Sequence, residues 1–134
     1  MREEIVRRLF EDFAGGRTET AFEVYDPNVV WDGTPLGPEA GELATAHMGH
    51  EGVRRWWRDW LEAWERIENQ GDPEFRSNGN QLVATWVQHN IGRASGVEVE
   101  QHSALVFTFE DGRIVRVGVY PNWEHAWRAA GISA

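Results

Sequence analysis

The sequence predicts an α+β fold in which helices pack on one face of a curved, mostly antiparallel sheet. Three observations lead to this prediction. Apolar residues recur at helical spacing in the first half of the chain, whereas apolar and polar residues alternate through most of the second half. The dipeptides Asn78-Gly79 and Asp111-Gly112 are typical of hairpin turns between neighbouring strands. Helices followed by a run of hairpins indicate an α+β architecture.

The helices are predicted from apolar residues that return every three or four positions. We place them over residues 2–14, 18–25 and 51–68, with a short C-terminal helix after Asn122. The third helix has the clearest pattern, a wide apolar stripe that is rich in tryptophan. The members of this stripe are Val53, Trp56, Trp57, Trp60, Leu61, Trp64 and Ile67.

The strands are predicted over residues 28–32, 74–77, 81–92, 97–109 and 113–120. The two hairpin dipeptides join the second strand to the third and the fourth strand to the fifth. A glycine-containing turn joins the third strand to the fourth. The predicted order of elements is therefore α-α-β-α-β-β-β-β-α.

Composition limits the class of protein. The 134 residues fit one domain of ordinary size, which we take to span residues 1–134. Cysteine is absent, which excludes a disulfide framework, and the 13 basic residues are all arginine, which excludes a Schiff-base lysine. The net charge of −9 argues against nucleic-acid binding, and no apolar run is long enough to span a membrane. The charged N-terminal residues and the lack of cysteine lead us to expect a cytoplasmic protein.

Residues 33–49 form a long predicted loop that is rich in glycine and proline. Loops of this length often act as lids or as walls of a site. His47 lies within it and is a candidate acid or base. His47, His50 and Glu51 could instead contact a metal ion, but the sequence offers no clear cluster to complete such a site, and we predict none.

Asp32 stands at the end of the first predicted strand, directly after the apolar residues Val29, Val30 and Trp31. Two interpretations are open. In the first, Asp32 closes a turn by accepting a hydrogen bond from the amide of Thr34. In the second, it faces a pocket and moves protons, and loss of hydration among tryptophan and aliphatic side chains raises its pKa.

Five segments together carry a family likeness. They are DPNVVW at 26–31, GHEGVRRWW at 49–57, GRASGVEVE at 92–100, FTFEDGRIVRVGVY at 107–120 and AWRAAGI at 126–132. With the order of elements, they resemble the SnoaL-like group of the nuclear-transport-factor-two-like superfamily over nearly the whole chain. The resemblance implies a cone of strands closed by helices around an apolar pocket, usually in a homodimer. It implies no single activity, because the superfamily includes polyketide cyclases, ketosteroid isomerase, epoxide hydrolases, dehydratases and binding modules.

The resemblance also implies roles for individual positions. Asp32 matches the proton-shuttling Asp of ketosteroid isomerase, which implies that it faces the pocket. The oxyanion-binding positions of that enzyme fall near Arg8 or Leu9 and near Leu105, whose side chains cannot serve, and this argues against a steroid isomerase. The acid/base Asp of the polyketide cyclases falls at Asn122, which can cap a helix but cannot exchange protons in the same way.

Family matching and strand alternation together predict which side chains line the pocket. Matching places two side chains of the 81–92 strand inside, and alternation adds others from the 97–109 strand. The third helix supplies tryptophan walls, on which a flat ligand could stack. The predicted binding residues are Trp57, Trp60, Trp86, Gln88, Ser103, Leu105, Asn122 and His47.

The sequence therefore favours a small-molecule pocket protein. The first interpretation is a cofactor-free acid/base enzyme of the isomerase, cyclase, dehydratase or hydrolase class, with Asp32 as general base. Its ligand would be a small apolar or aromatic molecule with a carbonyl or hydroxyl group. The alternative is a non-catalytic binding module of the same fold. We also expect a homodimer formed through the sheet face that bears His89 and His102.

Overall fold

Helices and strands follow the predicted order in the computed structural model, which describes residues 2–133, and one short strand is added. The α+β prediction is therefore confirmed. The helices are α1 (Arg2–Ala14), α2 (Thr18–Phe22), α3 (Gly49–Glu62) and α4 (Trp123–Ala129). The strands are β1 (Tyr25–Asp32), β2 (Ala46–Met48), β3 (Trp64–Asn78), β4 (Gln81–Gly92), β5 (Glu98–Glu110) and β6 (Arg113–Tyr120).

The strands form one curved sheet in the order β2-β1-β6-β5-β4-β3. All neighbours are antiparallel except β1 and β6, which run parallel. Both predicted hairpin dipeptides fall where expected, since Asn78 ends β3 and Asp111 follows β5. Asp111 adopts a positive φ of 50° and Gly112 one of 78°. This left-handed pair is the conformation that a type I′ hairpin turn requires.

The main core lies between the helices and the concave face of the sheet. Its fully buried side chains include Leu9 from α1, Trp31 from β1, Val53 from α3 and Phe107 from β5. Burial of these large apolar groups is the principal stabilising contribution to the fold.

The prediction that helices cover one face only is wrong in one respect. The short helix α4 packs on the opposite face of the sheet, where Ala126 and Ala130 contact Val83, Ala104 and Val106. The reason is that these strand residues are apolar on their outward side as well. A sheet that is apolar on both faces must be covered on both.

The predicted third helix extends too far. It ends at Glu62 rather than at residue 68, and β3 begins at Trp64. Arg93, from the turn after β4, donates hydrogen bonds to the carbonyls of Glu62 (3.0 Å) and Trp64 (3.1 Å). Its own amide donates to the carbonyl of Ala63 at 3.1 Å. A distant residue thus satisfies the carbonyls at the helix end, and helical periodicity alone could not reveal this.

The predicted loop over residues 33–49 is largely ordered. It contains two 3-10 helices, Thr34–Leu36 and Pro38–Ala44, followed by β2. The amide of Gly33 donates to the carbonyl of Thr45 at 3.0 Å. A Cβ atom at position 33 would lie 1.8 Å from the carbonyl oxygen of Leu43, so this close approach requires glycine. The role of the segment as a lid stays a prediction.

The outer face of β4 and β5 carries the residues expected at a dimer contact. Glu100 lies 3.3 Å from Nε2 of His89 and 3.2 Å from Nε2 of His102, and all three side chains are exposed. Pairing of two copies through this face stays a prediction. No helix within residues 2–133 combines the length and the apolar content that a membrane crossing requires.

Candidate functional site

A small cavity lies between α3 and the concave face of the sheet. Its volume is about 30 Å³, enough for about two water molecules. The walls are mainly aromatic and aliphatic, with two amides and two hydroxyl groups among them. The lining residues are Leu36, Trp56, Trp57, Trp60, Trp86, Gln88, Gln101, Ser103, Ala104, Leu105, Val119 and Tyr120.

Strand alternation brings the predicted pocket residues of the sheet together. Trp86 on β4 lies directly opposite Ser103 on β5, and Gln88 lies opposite Gln101. Because alternate residues of a strand share a face, these two pairs line the same side of the sheet. Of the predicted binding residues, those found in the lining are Trp57, Trp60, Trp86, Gln88, Ser103 and Leu105.

Tryptophan side chains of α3 form the opposite wall. Trp56 stacks on Trp60 with ring centroids 5.6 Å apart and planes within 10°. Trp57 makes edge contacts with Trp56 at 5.1 Å and with Trp31 of β1 at 5.5 Å. Each ring is held by at least one other, so the wall is a packed aromatic cluster rather than a set of independent side chains.

A chain of amide groups fixes the orientation of Gln88. Its Nε2 donates to Oδ1 of Asn69 at 3.0 Å, and its Oε1 accepts from Nδ2 of Asn90 at 3.3 Å. Gln88 is buried, and Asn90 is 0% exposed. A buried amide that is bonded at both ends cannot rotate freely, so Gln88 presents a defined polar group beside the cavity.

Unpaired donors remain in the same region. Nε1 of Trp57 is buried and has no hydrogen-bond partner among residues 2–133. Its neighbour Trp56, by contrast, donates from Nε1 to the carbonyl oxygen of Leu43 at 2.9 Å. Trp57 lines the cavity, and its indole N–H is buried and unpaired within the described residues.

Asp32 lies outside this lining. Trp31 is the residue of β1 that is fully buried against α3, and the next side chain along a strand points to the other face. There Asp32 accepts hydrogen bonds from the amide (2.9 Å) and hydroxyl (2.6 Å) of Thr34. Its second oxygen accepts from Nη2 of Arg116 at 2.6 Å. The turn interpretation of Asp32 thus matches the geometry, and the arginine partner adds an ion pair.

The expectation of a raised pKa for Asp32 is wrong. Partial burial acts to raise the pKa of this carboxyl group, but hydrogen bonds from Thr34 and the charge of Arg116 outweigh it and lower the pKa. The physical reason is that these groups stabilise the ionised form. The sequence places the arginine 84 residues away from Asp32, and nothing in the local pattern indicates this partner.

Comparisons with known proteins identify the family to which this fold belongs. Residues 6–117 match the model of a family described as the SnoaL-like domain. The chain belongs to the SnoaL-like domain family. A comparison of this SnoaL-like domain with curated proteins gives no match.

Solved structures resemble this SnoaL-like domain over almost its whole length. An NTF2-like protein of unknown function from Burkholderia pseudomallei has a TM-score of 0.76 at 21% identity, covering 96% of this chain and 95% of the other. TerC, co-crystallized with polyporic acid, has a TM-score of 0.73 at 18% identity, covering 95% of each chain. A candidate polyketide cyclase from Xanthomonas campestris pv. campestris has a TM-score of 0.69 at 20% identity, covering 96% and 94%. At identities this low, the structural similarity shows a shared fold and nothing more.

Asn122 and His47 are not in the cavity lining of the SnoaL-like domain. Asn122 caps α4, and its Oδ1 accepts a hydrogen bond from the amide of His125 at 2.8 Å. His47 lies on β2 beside a separate surface groove, where its Nδ1 is 3.3 Å from the carbonyl oxygen of Thr45. Within residues 2–133, no group of three or more His, Asp or Glu side chains is arranged to hold a metal ion.

Several lining residues were not predicted as site residues. The spacing of Trp56 places it in the apolar stripe of α3, and this spacing does not distinguish a core residue from a cavity residue. Leu36 belongs to the segment expected to be a loop, and its sequence gives no signal. Tyr120 folds back over Gly118, where a Cβ atom would lie 2.8 Å from the tyrosine ring. Burial raises the pKa of Tyr120, and the charge of Asp32 raises it further, so the phenol stays protonated at neutral pH.

The lowered pKa of Asp32 predicts a pH-dependent contribution to stability. A carboxyl group with a depressed folded-state pKa stabilises the protein above its unfolded pKa of about 3.9, and this contribution disappears as the pH falls through the folded value. Arg116 is half exposed, so Asp32→Asn should lower the free energy of unfolding by up to about 1 kcal/mol at pH 7. The difference from the wild type should shrink below about pH 4, as measured by urea denaturation.

Asp26→Asn is the matched control for this prediction. Asp26 forms the same kind of turn, accepting from the amide of Asn28 at 2.8 Å, but no ion pair with it is found in residues 2–133. We expect a smaller loss of stability from this substitution. Equal stability of Asp32→Asn and the wild type at pH 7 would contradict the stabilising role of the ion pair.

Proposed function

We propose that this SnoaL-like domain binds a small, mainly apolar molecule in the cavity between α3 and the sheet. The composition of the lining carries the proposal. Tryptophan and aliphatic side chains form the walls, while Gln88, Gln101 and Ser103 supply a few polar groups. Apolar walls with a small number of placed polar groups are typical of ligand sites. The walls would bury the body of the ligand, and the polar groups would orient one functional group.

Such a ligand can enter only if side chains of the cavity wall move outward. The free volume of about 30 Å³ holds about two waters, which is less than a six-membered ring needs. Leu36 and Trp60 are only partly buried, and Leu36 lies on a short 3-10 helix. We propose that these two side chains move outward when the ligand binds, because partly buried groups lose fewer contacts on displacement.

Binding without chemistry is the form of the proposal that the geometry favours. Asp32 is held by Thr34 and Arg116, its pKa is lowered, and it lies outside the lining. A general base needs reach to the proton that it removes and a pKa near the working pH. Asp32 meets neither requirement, because its carboxylate lies outside the cavity lining and its pKa is lowered.

Acid/base catalysis remains the second candidate, and one observation favours it. Tyr120 lies in the cavity lining, is protonated at neutral pH and lies close enough to Asp32 to be affected by its charge. A protonated phenol can donate a proton to a bound substrate. Among proteins of this fold, the one from Xanthomonas campestris pv. campestris is described as a candidate polyketide cyclase.

The experiment is a titration with cyclohexanone, followed through the tryptophan indole N–H signals by NMR. Ser103→Phe puts a ring into the cavity and should weaken binding at least about tenfold. Ser103→Ala leaves the space open and should change the dissociation constant less than about threefold. Cyclohexanone that fails to bind the wild type, or that binds Ser103→Phe equally well, would overturn the proposed site.

Asp32→Asn separates binding from catalysis. If Asp32 acts as general base on some substrate, turnover should fall by about 10²–10⁴-fold while binding persists. If the domain only binds, the variant should bind cyclohexanone as the wild type does. A panel of small ketones and enols, assayed for conversion with both proteins, provides the measurement.

A further inference from the structure

We propose that the surface groove beside His47 binds a small zwitterion, that is, a molecule with one ammonium group and one carboxylate group. The groove has a volume of about 410 Å³, and its lining comes from β2, the segment before β2 and the first two turns of α3. No described residue lines both the groove and the cavity. The inference is therefore independent of the function proposed for the cavity.

His47 is the most buried polar side chain of the groove. It lies opposite Trp31 in the β1–β2 pair, and residues directly opposite each other share a face of the sheet, so His47 lies on the side that α3 covers. A Cβ atom at Gly52 of α3 would be only 3.1 Å from the Cβ of His47, which shows how closely the helix packs over this residue. His47 is consequently only 8% exposed while it still lines the groove.

One ring nitrogen of His47 is left to accept a hydrogen bond. Its Nδ1 lies 3.3 Å from the carbonyl oxygen of Thr45. A carbonyl oxygen can only accept, so the neutral ring carries its hydrogen on Nδ1 and its lone pair on Nε2. Nε2 has no partner within residues 2–133, yet it is not among the buried unpaired atoms, so it reaches accessible surface. The groove therefore contains an accessible acceptor that suits an N–H donor such as an ammonium group.

Two opposite charges line the same groove without contacting each other. Glu42 and Arg55 are both exposed lining residues, and neither takes part in an ion pair within residues 2–133. The third charged group, Glu51, is already paired with Arg54 at 2.9 Å. A zwitterion can satisfy both free charges, with its ammonium near Glu42 and its carboxylate on the guanidinium fork of Arg55.

The arrangement of these groups favours a zwitterion over a single ion. Glu42 and Arg55 balance in charge, so neither a simple cation nor a simple anion gains from the groove as a whole. Within residues 2–133, His47 and the two glutamates do not come close enough together to hold a metal ion. Met48, which is 62% exposed, adds apolar surface to the lining. An α-amino acid with a short apolar side chain has all the matching features.

Three probes with the same isobutyl body test this inference. Leucine carries both charged groups, 4-methylpentanoate lacks the ammonium, and 3-methylbutylamine lacks the carboxylate. Titrations at about pH 8, where an imidazole is ordinarily neutral, are followed by NMR through the ring nitrogens of His47. We expect each one-group analogue to bind at least about threefold more weakly than leucine, and leucine to shift the Nε2 signal.

Variants assign each charged group of the ligand to its partner, with the backbone amide of Gly52 as the NMR probe. Arg55→Gln should weaken leucine at least about threefold and should not weaken 3-methylbutylamine. His47→Phe keeps a ring and removes the acceptor, so it should weaken leucine and 3-methylbutylamine but not 4-methylpentanoate. Arg58→Gln is the matched control, because it removes the same charge from an exposed position of α3 outside the lining. It should change leucine binding less than about twofold.

Several results would overturn the inference. They are an analogue that binds as tightly as leucine, equal effects of Arg55→Gln and Arg58→Gln, and leucine binding that leaves the His47 signals unmoved. Leucine binding should also persist in Ser103→Phe, and its loss there would place leucine in the cavity instead. Failure of cyclohexanone to bind the wild type would overturn the function proposed for the cavity and would leave the groove unaffected.

Discussion

Trp31→Ala should lower the free energy of unfolding by about 3–5 kcal/mol, the cost typical of truncating a large buried aromatic residue. Trp31 is 0% exposed and lies at the centre of the aromatic cluster. Its ring contacts Tyr25 at 6.4 Å, Trp56 at 5.3 Å and Trp57 at 5.5 Å between centroids. Removal of the indole leaves a void that three rigid rings cannot easily refill, so the loss of packing adds to the lost burial.

Trp60→Ala is the comparison that gives this prediction its functional meaning. Trp60 is only partly buried, and its ring contacts Trp56 at 5.6 Å and Trp64 at 5.4 Å. Solvent can enter the space that it vacates, so its truncation should cost well under half as much as that of Trp31. Urea denaturation followed by far-UV circular dichroism measures the stability of both variants, since fluorescence changes with any tryptophan substitution.

If Trp31→Ala does not fold, Trp31→Phe should still be less stable than Trp60→Phe. Equal costs at the two positions would contradict the view that Trp60 can move to admit a ligand.

The sequence predicts the two hairpin turns better than the boundary between α3 and β3, where the strand predicted over 74–77 begins at Trp64, and the difference has a physical origin. The dipeptides Asn78-Gly79 and Asp111-Gly112 encode their hairpins locally, through residues that tolerate a positive φ. The end of α3 depends instead on Arg93, which lies 31 residues from the carbonyl of Glu62 that it binds. No pattern within the helix contains that contact.

The residues of the candidate site also differ in how well the sequence predicts them. Gln88 and Ser103 line the cavity because alternate residues of a strand face the same side of the sheet, so the register of β4 and β5 determines their direction. Asp32 does not, because a shift of one residue along β1 exchanges the two faces of the strand, and Trp31 takes the buried position. The family likeness identifies the strand, but it does not determine which of two adjacent side chains points inward. Packing against α3 decides that question.

Gln88→Leu should lower the free energy of unfolding by about 1–3 kcal/mol, although the substituted side chain is similar in size and more apolar. Gln88 joins Asn69 and Asn90 in one hydrogen-bonded chain. Loss of Gln88 leaves Nδ2 of Asn90 without its partner, and the Oδ1 of Asn90 already has none within the described residues. Asn69 is exposed and can bond to water, so nearly all of the cost should arise at Asn90, which is 0% exposed.

A double-mutant cycle separates this cause from a simple loss of packing. Replacing both members of a buried polar pair by apolar groups is often nearly neutral, so Gln88→Leu combined with Asn90→Leu should be more stable than Gln88→Leu alone. Gln101→Leu is the matched control, since Gln101 faces Gln88 across the β4–β5 pair and is less buried. Its cost should stay within about 0.5 kcal/mol. If the two leucine substitutions cost their simple sum, Gln88 and Asn90 are not coupled, and the amide chain does not hold Gln88 beside the cavity. If instead the double variant is more stable than Gln88→Leu alone, the buried amides add little to the stability of the fold. That result is expected of polar groups that orient a ligand.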